Sequence, residues 1–206
     1  IQLIEKLLTQ ERVTHSGQFF NVKDARLSPK SVQQPAPPIW IGARGPKAIK
    51  RAAEMGYHLM ATIGPDPAPL YLDTLKECGR NPKDYKIAQL RMVYCAESED
   101  KAWDECQEHL FHLLEFYQDI LSEANDAEGD DAPLPVSKPE DMRNSVLADH
   151  FMIGTPDQVC EKMSQFQNDF NCTDLIMGTQ FPGLAPDKGT EALKLFAEKV
   201  MPRFRN

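Results

Sequence analysis

The segment Pro37-Pro38-Ile39-Trp40-Ile41-Gly42-Ala43-Arg44-Gly45-Pro46-Lys47-Ala48 passes from a strand pattern to a helical one within a few residues. The apolar run 39–41 ends at Gly42, and the helical pattern after Pro46 has an apolar side made of Ala48, Ile49, Ala52 and Ala53. A buried strand, a tight glycine turn and an amphipathic helix together make one β/α unit. We therefore expect a strand over about 39–42 and a helix that reaches residue 55.

The same alternation recurs along the rest of the chain. Apolar strand patterns cover 57–63, 86–96 and 174–179, and each is followed by a helical pattern. Strands that alternate with helices predict a parallel sheet with right-handed crossovers. Because an eight-stranded β/α barrel takes about 250 residues, four such strands in 206 residues correspond to half of a barrel.

Residues 1–206 are treated as one partial barrel domain, with a few segments outside the repeating pattern. Two short β-type runs within 13–22 predict a small hairpin around Ser16-Gly17. Acidic residues and scattered prolines over 123–141 predict a mobile insertion. Thr155-Pro156-Asp157-Gln158 has the sequence of a capping box with a proline in the first turn, which predicts a helix that starts there and runs to about residue 170.

The composition is that of a globular protein, with 41% hydrophobic residues and a formal net charge of −8 from 31 acidic and 23 basic side chains. It excludes fibrous, mucin-like and wholly disordered classes. No stretch approaches the roughly 20 apolar residues of a membrane-spanning helix, and the acidic balance argues against a nucleic-acid-binding surface. Five widely spaced cysteines are typical of reduced thiols. We expect a cytoplasmic protein with no membrane or nucleic-acid partner.

The start of the chain is unusual, because residue 1 is isoleucine. Ile1, Ile4, Leu7 and Leu8 already lie on one face of a helix, with no capping residue before them. This pattern predicts that the chain is a fragment of a longer protein, in agreement with four strands out of eight.

The turn between the first strand and its helix is the clearest candidate for a binding site. Small residues before a helix leave the backbone N–H groups of its first turn unpaired and open to a phosphate. Arg44 would add a charged donor. The alternative interpretation is purely structural, since Gly42 and Gly45 also permit a tight turn without any ligand.

Residues 37–56, from Pro37-Pro38-Ile39-Trp40-Ile41-Gly42-Ala43-Arg44-Gly45 to Gly56, resemble the fifth strand and following helix of the luciferase-like flavin monooxygenases. That family includes bacterial luciferase, alkanesulfonate monooxygenases and reductases that depend on the deazaflavin coenzyme F420. Three further segments resemble the family in the same order: Val13 to Phe20, Phe151-Met152-Ile153-Gly154-Thr155-Pro156-Asp157-Gln158-Val159, and Ala192 to Pro202. The resemblance covers almost the whole chain outside 123–149.

The resemblance implies the C-terminal half of a TIM (β/α)8 barrel, with FMN or coenzyme F420 at the C-terminal ends of the strands. It implies a flavin- or F420-dependent oxidoreductase or monooxygenase whose fragment alone is inactive. The turn that matches the family's cofactor-phosphate turn consists of Gly42, Ala43, Arg44, Gly45 and Pro46. Bacterial luciferase contributes a hydroxyl side chain in this turn, whereas Gly45 and Ala48 have none. Contacts here would therefore come from backbone N–H groups and Arg44.

Three residues at strand ends are candidates for a pocket that holds a small-molecule substrate, because barrel enzymes place their sites there. They are Thr62, after the second strand, and Gln180 and Phe181, after the fourth; each is equally a candidate for an ordinary loop residue. The catalytic residues are unknown, since the family's N-terminal half supplies most contacts to substrate and ring. Cys95, near the end of the third strand, is expected to be a buried, inert thiol.

Two other functions remain open at this point: a non-catalytic flavin-binding or interaction module, and an unrelated β/α barrel lyase or isomerase with a phosphorylated substrate in the same turn. His109 and His112 lie near Glu105 and Glu108 on one helix, but exposed barrel helices commonly carry such charges, and we expect no metal. A half-barrel leaves strand edges unpaired, so we expect a homo-oligomer in which two half-barrels complete one another.

Overall fold

The computed structural model describes residues 1–61, 66–123 and 136–205. The chain divides into two compact units, Ile1–Trp40 and Ile41–Asn206. Of the sequence predictions, Thr62 and residues 124–135 of the insertion lie outside the described residues.

The first unit contains a short helix and a hairpin. Helix α1 is Gln2–Thr9, and strands β1 (Val13–Ser16) and β2 (Asn21–Ala25) pair antiparallel, with Ser16 opposite Asn21. The Asn21 side chain holds the turn, since its Oδ1 accepts hydrogen bonds from the Ser16 hydroxyl at 2.8 Å and from the backbone N–H of Gly17 at 3.2 Å. The predicted hairpin is confirmed.

The second unit alternates strands and helices as the sequence predicts. Its elements are β3 (Trp40–Ala43), α2 (Gly45–Met55), β4 (His58–Ala61), α3 (Ala68–Glu77), β5 (Ile87–Cys95), α4 (Glu99–Glu123), β6 (Met152–Gly154), α5 (Pro156–Asp169), β7 (Asp174–Gly178) and α6 (Pro186–Lys199), with short 3-10 helices at Pro82–Asp84, Pro139–Asn144, Ala148–His150 and Met201–Phe204. Among the described residues, no helix has both the length and the apolar character needed to cross a bilayer.

The strands form one sheet in the order β3-β4-β5-β6, with β7 also paired to β5. The pairings of β5 are parallel: Leu59 of β4 lies opposite Ile87, and Ile176 of β7 lies opposite Leu90. The predicted α/β class with parallel β/α units is therefore confirmed. Strand β6 was not predicted. It has three residues and pairs in parallel with the end of β5, which is too short for a period-of-two pattern to stand out.

Two helix layers cover one face of this sheet. Helices α2 and α3 bury Ala52, Tyr71 and Leu75 against Ala43 of β3, Leu59 of β4 and Ile87 of β5. Further along, α5 and α6 bury Val159, Phe196 and their neighbours against Val93 and Cys95 of β5. Successive strand residues point to opposite faces, so Gly42, Met60 and Met92 lie on the other face.

Helix α2 ends in a tightly fitted cap. Gly56 has φ 75°, in the left-handed region that favours glycine. Arg80, in the loop after α3, donates a hydrogen bond from Nη2 to the carbonyl oxygen of Glu54 at 3.1 Å. A Cβ at position 56 would lie 2.6 Å from Arg80 Cζ. The backbone angle therefore favours glycine here, and a larger residue would also displace the guanidinium of Arg80.

The described segment from residue 136 onward is packed against the sheet unit. Val136 and Met142 are buried in the cluster that contains Trp103 of α4. Arg143 forms ion pairs with Glu99 at 3.1 Å and with Asp100 at 2.6 Å, at the start of α4. The expected mobility of 123–141 stays a prediction.

Candidate cofactor site

The turn between β3 and α2 has the strand, turn and helix geometry that the sequence predicts. Strand β3 ends at Ala43, and Arg44 is extended, with φ −124° and ψ 134°. Gly45 opens α2 with φ 76°, and Pro46 follows in the first turn. Proline is suited to this place because it lacks the N–H that a first-turn residue leaves unpaired.

Helix α2 begins at an exposed turn. The side chain of its N-cap residue, Arg44, makes no capping hydrogen bond, and its first turn carries no acidic residue. Among the described residues, nothing lies within 4 Å of a Cβ placed on Gly45, and Arg44 and Gly45 are both exposed. Unpaired N–H groups and the positive end of the helix dipole attract anions. A phosphate group therefore fits this turn.

The sheet face opposite the helix layers begins at this turn. It consists of Gly42, Met60, Met92, Ile176 and Gly178, which we call the open sheet face. A Cβ on Gly42 would lie 3.6 Å from Met60 Cε, and one on Gly178 would lie 2.6 Å from Met92 Sδ. Ile176 is 42% exposed. These five residues are apolar, and glycine at position 178 makes room for the side chain of Met92, which packs in part against the core cluster that contains Trp103.

The predicted substrate residues have structural partners where they are described. Gln180 donates a hydrogen bond from Nε2 to the carbonyl oxygen of Leu184 at 2.8 Å, and its amide lies where a side chain on Gly189 of α6 would be. Phe181 is 2% exposed, and its ring centroid lies 6.1 Å from that of Tyr94. Both side chains therefore help to fix the loop after β7. Thr62 lies outside the described residues.

A cluster of polar side chains that the sequence did not predict lies at the end of β5. The buried Tyr94 hydroxyl donates a hydrogen bond to Glu105 Oε2 at 2.9 Å, and Lys188 Nζ lies 3.7 Å from Glu105 Oε1. Burial and the hydrogen bond to Glu105 raise the pKa of Tyr94. A groove of about 260 Å³ runs beside the cluster between α4 and α6, lined in part by Cys95, Lys101, Glu105, Glu191 and Glu198.

Cys95 is buried at 2% exposure, and burial raises the pKa of its thiol to about 11. The thiol is therefore protonated near neutral pH, as expected for an inert cysteine. His112 of α4 lies 4.0 Å from Glu108 and 3.4 Å from Glu115. Within the described ranges, no three His, Cys, Asp or Glu side chains are grouped so as to hold a metal ion.

Two buried polar side chains on β5 also went unnoticed in the sequence. Gln89 is fully buried, and neither atom of its amide has a hydrogen-bond partner among the described residues. Arg91 is 3% exposed and lies over the ring of Phe166, with Cζ 4.8 Å from the ring centroid. Burial lowers the pKa of Arg91. In the sequence, two polar residues at alternate positions of an otherwise apolar strand are the pattern that indicates such a pair.

Comparison with known families assigns residues 1–170 to the family model described as luciferase-like monooxygenase. Among curated relatives, the F420-dependent glucose-6-phosphate dehydrogenase of Microbacterium testaceum is 25% identical over 214 residues and aligns with 100% of this chain and 59% of its own length. The oxygenase component of the flavin-dependent trigonelline monooxygenase of Acinetobacter baylyi is 24% identical over 205 residues, with 92% of this chain and 55% of its own length aligned.

Among solved structures, the monooxygenase RslO1 from Streptomyces bottropensis superposes with a TM-score of 0.72 at 21% identity. The superposition covers 99% of this chain and 59% of RslO1. The superposition shows that the chain has the fold of part of a luciferase-like barrel. The chain thus spans less than two thirds of the length of these relatives.

Proposed function

The chain belongs to the luciferase-like monooxygenase family, and we propose that it carries the cofactor-phosphate site of a flavin- or F420-dependent oxidoreductase. Relatives of both cofactor types are similar to it over nearly its whole length. The cofactor is FMN or coenzyme F420, and the substrate is a small molecule.

The observation that carries this proposal is the uncapped start of α2. The residues that would hold the phosphate are Gly42, Ala43, Arg44, Gly45 and Pro46. The backbone of the first helical turn offers N–H donors, and the guanidinium of Arg44 offers a charge. Glycine at position 45 keeps the approach open, because the space beside it is empty to 4 Å. Donors of this kind bind a phosphate without any hydroxyl side chain.

The open sheet face supports the same proposal. It adjoins the turn through Gly42 and presents methionine, isoleucine and glycine, which suit a flat aromatic ring system. When bound, the reduced cofactor supplies the hydride or electrons of the reaction. The part of this chain is to bind the phosphate, to present an apolar surface and to exclude water from it.

A non-catalytic flavin-binding module is the second candidate. The described strand ends carry Ala43, Ala61, Cys95 and Gly178, of which only Cys95 titrates, and its thiol is buried and protonated. Phosphate binding without turnover is therefore consistent with these residues. Substrate-free oxidation of the reduced cofactor is measured by absorbance with the chain and with buffer alone. Acceleration by the chain favours the enzyme, whereas an unchanged rate agrees with both candidates, because the fragment alone is expected to be inactive.

The proposal is tested by titrating FMN, F420 and riboflavin against the chain and following cofactor fluorescence. Gly45→Asp places a carboxylate in the phosphate position. We expect it to weaken FMN and F420 binding about tenfold or more, as the loss of a charge-assisted contact of about 1.5 kcal/mol or more requires. Riboflavin lacks the phosphate, so its affinity should be the same for both proteins.

Gly79→Asp is the matched control. Gly79 has φ 71° and, like Gly45, nothing within 4 Å of a Cβ, but it lies after α3 in a loop outside the turn. It should leave FMN affinity unchanged. Failure of the unsubstituted chain to bind FMN or F420, or an equal loss in both variants, would contradict the proposal.

A further inference from the structure

The helix-covered face of β5 changes from apolar to polar in the middle of the strand. Side chains at alternate positions of a strand lie on one face. On this face, Ile87 belongs to the apolar cluster of α2 and α3, whereas Val93 and Cys95 belong to the apolar cluster of α5 and α6. The two positions between them are occupied by Gln89 and Arg91. The boundary between the two apolar clusters is therefore polar.

Arg91 carries a buried charge. It is 3% exposed, and its Nη1 donates a hydrogen bond to the carbonyl oxygen of Leu90 at 3.1 Å. Its Cζ lies 4.8 and 5.2 Å from the ring centroids of Phe166 and Phe170. Among the described residues, no carboxylate pairs with the guanidinium, and the titratable group that acts on it is the thiol of Cys172. Burial raises the pKa of that thiol to about 11, so near neutral pH it supplies no counter-charge.

Gln89 lies on the same strand face and lacks hydrogen bonds of its own. It is fully buried, and among the described residues neither Oε1 nor Nε2 has a partner. Buried amides are normally hydrogen-bonded, and an exception points to a water molecule or an ion. Ala61, opposite Gln89 on β4, has a small side chain that leaves room beside the amide. Residues 89 and 91 are about 6.6 Å apart along the strand, so one small ligand can contact both side chains.

We propose that Gln89 and Arg91 form an internal site for one small inorganic anion, such as chloride. The anion accepts hydrogen bonds from the guanidinium of Arg91 and from Nε2 of Gln89, and a water molecule bound with it donates to Oε1. The anion thus supplies the missing counter-charge, and the amide gains the partners that it lacks. The site lies on the face of β5 opposite to the open sheet face and is independent of the proposed cofactor site.

Burial and charge restrict the kind of anion. Gln89 and Arg91 leave almost no surface to solvent, so the site takes an ion of one or a few atoms and excludes an organic acid. One guanidinium neutralises one negative charge, and a second negative charge would be buried without compensation. The expected ligand is therefore monovalent.

Thermal unfolding at constant ionic strength tests the proposal, with sodium gluconate exchanged stepwise for sodium chloride. Gluconate is an organic acid that is too large for the site. The melting temperature should rise and then level off as chloride replaces gluconate, by about 3–5 °C at a chloride concentration about ten times the dissociation constant. A neutral water molecule in the same place would give no dependence on the anion.

Two variants separate this site from other arginines of the chain. Arg91→Met keeps an unbranched side chain against Phe166 and Phe170 but removes the charge, and it should lose the chloride response. Arg203→Met is the matched control, because the side chain of Arg203 is 51% exposed and pairs with Asp157 at 2.7 Å. This control should keep the chloride response of the unsubstituted chain.

Crystals of the unsubstituted chain grown in bromide provide a measurement that does not depend on a variant folding. Bromide has the charge of chloride and scatters X-rays anomalously. The expected result is an anomalous peak within hydrogen-bond distance of the Arg91 guanidinium and of Gln89 Nε2.

Three outcomes would overturn the proposal. One is a melting temperature of the unsubstituted chain that does not rise as chloride replaces gluconate. Another is an equal chloride response in Arg91→Met and in Arg203→Met. The third is a bromide crystal with no anomalous peak between Gln89 and Arg91, including one in which an ordered water molecule takes that place.

Discussion

Two helices of the sheet unit begin after a strand and a small-residue turn, and they begin differently. Helix α5 follows Gly154 and is closed by its own side chains: Thr155 Oγ1 accepts a hydrogen bond from the N–H of Gln158 at 3.3 Å, and Gln158 Oε1 accepts one from the N–H of Thr155 at 2.9 Å. Helix α2 follows Ala43 and has no side-chain cap among the described residues.

The two helix starts differ in the space and the backbone N–H groups that they leave for a ligand. At α5 the capping box occupies the backbone N–H groups of Thr155 and Gln158, and Glu99 Oε2 accepts a hydrogen bond from Gln158 Nε2 at 2.8 Å, which fixes the box further. At α2 the side chain of the N-cap residue Arg44 forms no such hydrogen bond, and among the described residues nothing lies within 4 Å of a Cβ placed on Gly45. A helix start that is closed by its own residues contributes stability, whereas one left open at some cost in stability is available for binding.

The largest expected effect is the difference in stability between substitutions at Gly154 and at Gly45. Gly154 has φ 147°, and a Cβ there would lie 3.1 Å from Gln158 Cβ and overlap the Gln158 amide. Gly154→Ala should therefore lower the free energy of unfolding by about 2–3 kcal/mol, as backbone strain and a broken cap require. Gly45→Ala, with positive φ but open space, should cost only about 1 kcal/mol. Urea denaturation of both variants measures the difference, and equal losses would contradict it.

A side-chain cap added to α2 should weaken FMN binding and stabilise the folded chain. Arg44→Asp supplies an N-cap carboxylate, which we expect to stabilise the chain by about 0.5–1 kcal/mol. The same change removes the guanidinium and repels a phosphate, so FMN affinity should fall about tenfold. Thermal melting and FMN titration of one protein sample test both parts. Unchanged FMN affinity would show that the turn does not bind the phosphate.

The smallest expected effect is the pH dependence of the α5 start. The hydrogen bond from Gln158 lowers the pKa of Glu99 below its ordinary value of 4.5, and Arg143 adds to the shift. A lowered pKa in the folded state gives stability that is present above pH 4.5 and is lost as the pH falls through the folded-state value. The contribution is small, because the Glu99 side chain is 39% exposed.

Urea midpoints of the chain and of Glu99→Gln at pH 7 and at pH 4 test this effect. The unsubstituted chain should be the more stable of the two at the higher pH, and the gap should narrow at the lower one. A constant gap would mean that Glu99 stabilises the box without its charge.

The sequence predicts the repeating part of this fold well, because strand and helix patterns are local. The segments 57–63, 86–96 and 174–179 contain the strands His58–Ala61, Ile87–Cys95 and Asp174–Gly178. The capping box at Thr155 was also predicted and is confirmed, since the motif depends on residues close in the chain.

Features that depend on distant residues were not predictable in the same way. Strand β6 exists only through its pairing with Val93 to Cys95, and the burial of Phe181 depends on Tyr94, far away in the chain. The sequence predicted an accessible start of α2 from the small residues around Gly45. The absence of a cap among the described residues is a property of the tertiary structure, and phosphate binding there stays a proposal.

The fit between Arg80 and Gly56 has a consequence for how the sheet unit unfolds. Arg80 belongs to the loop after α3, but its guanidinium holds the end of α2, so each of these two β/α units completes the other. Unfolding of either unit removes this contact from the other, in addition to the apolar packing that the two helices share. We therefore expect the α2 and α3 layer to unfold together rather than one helix at a time.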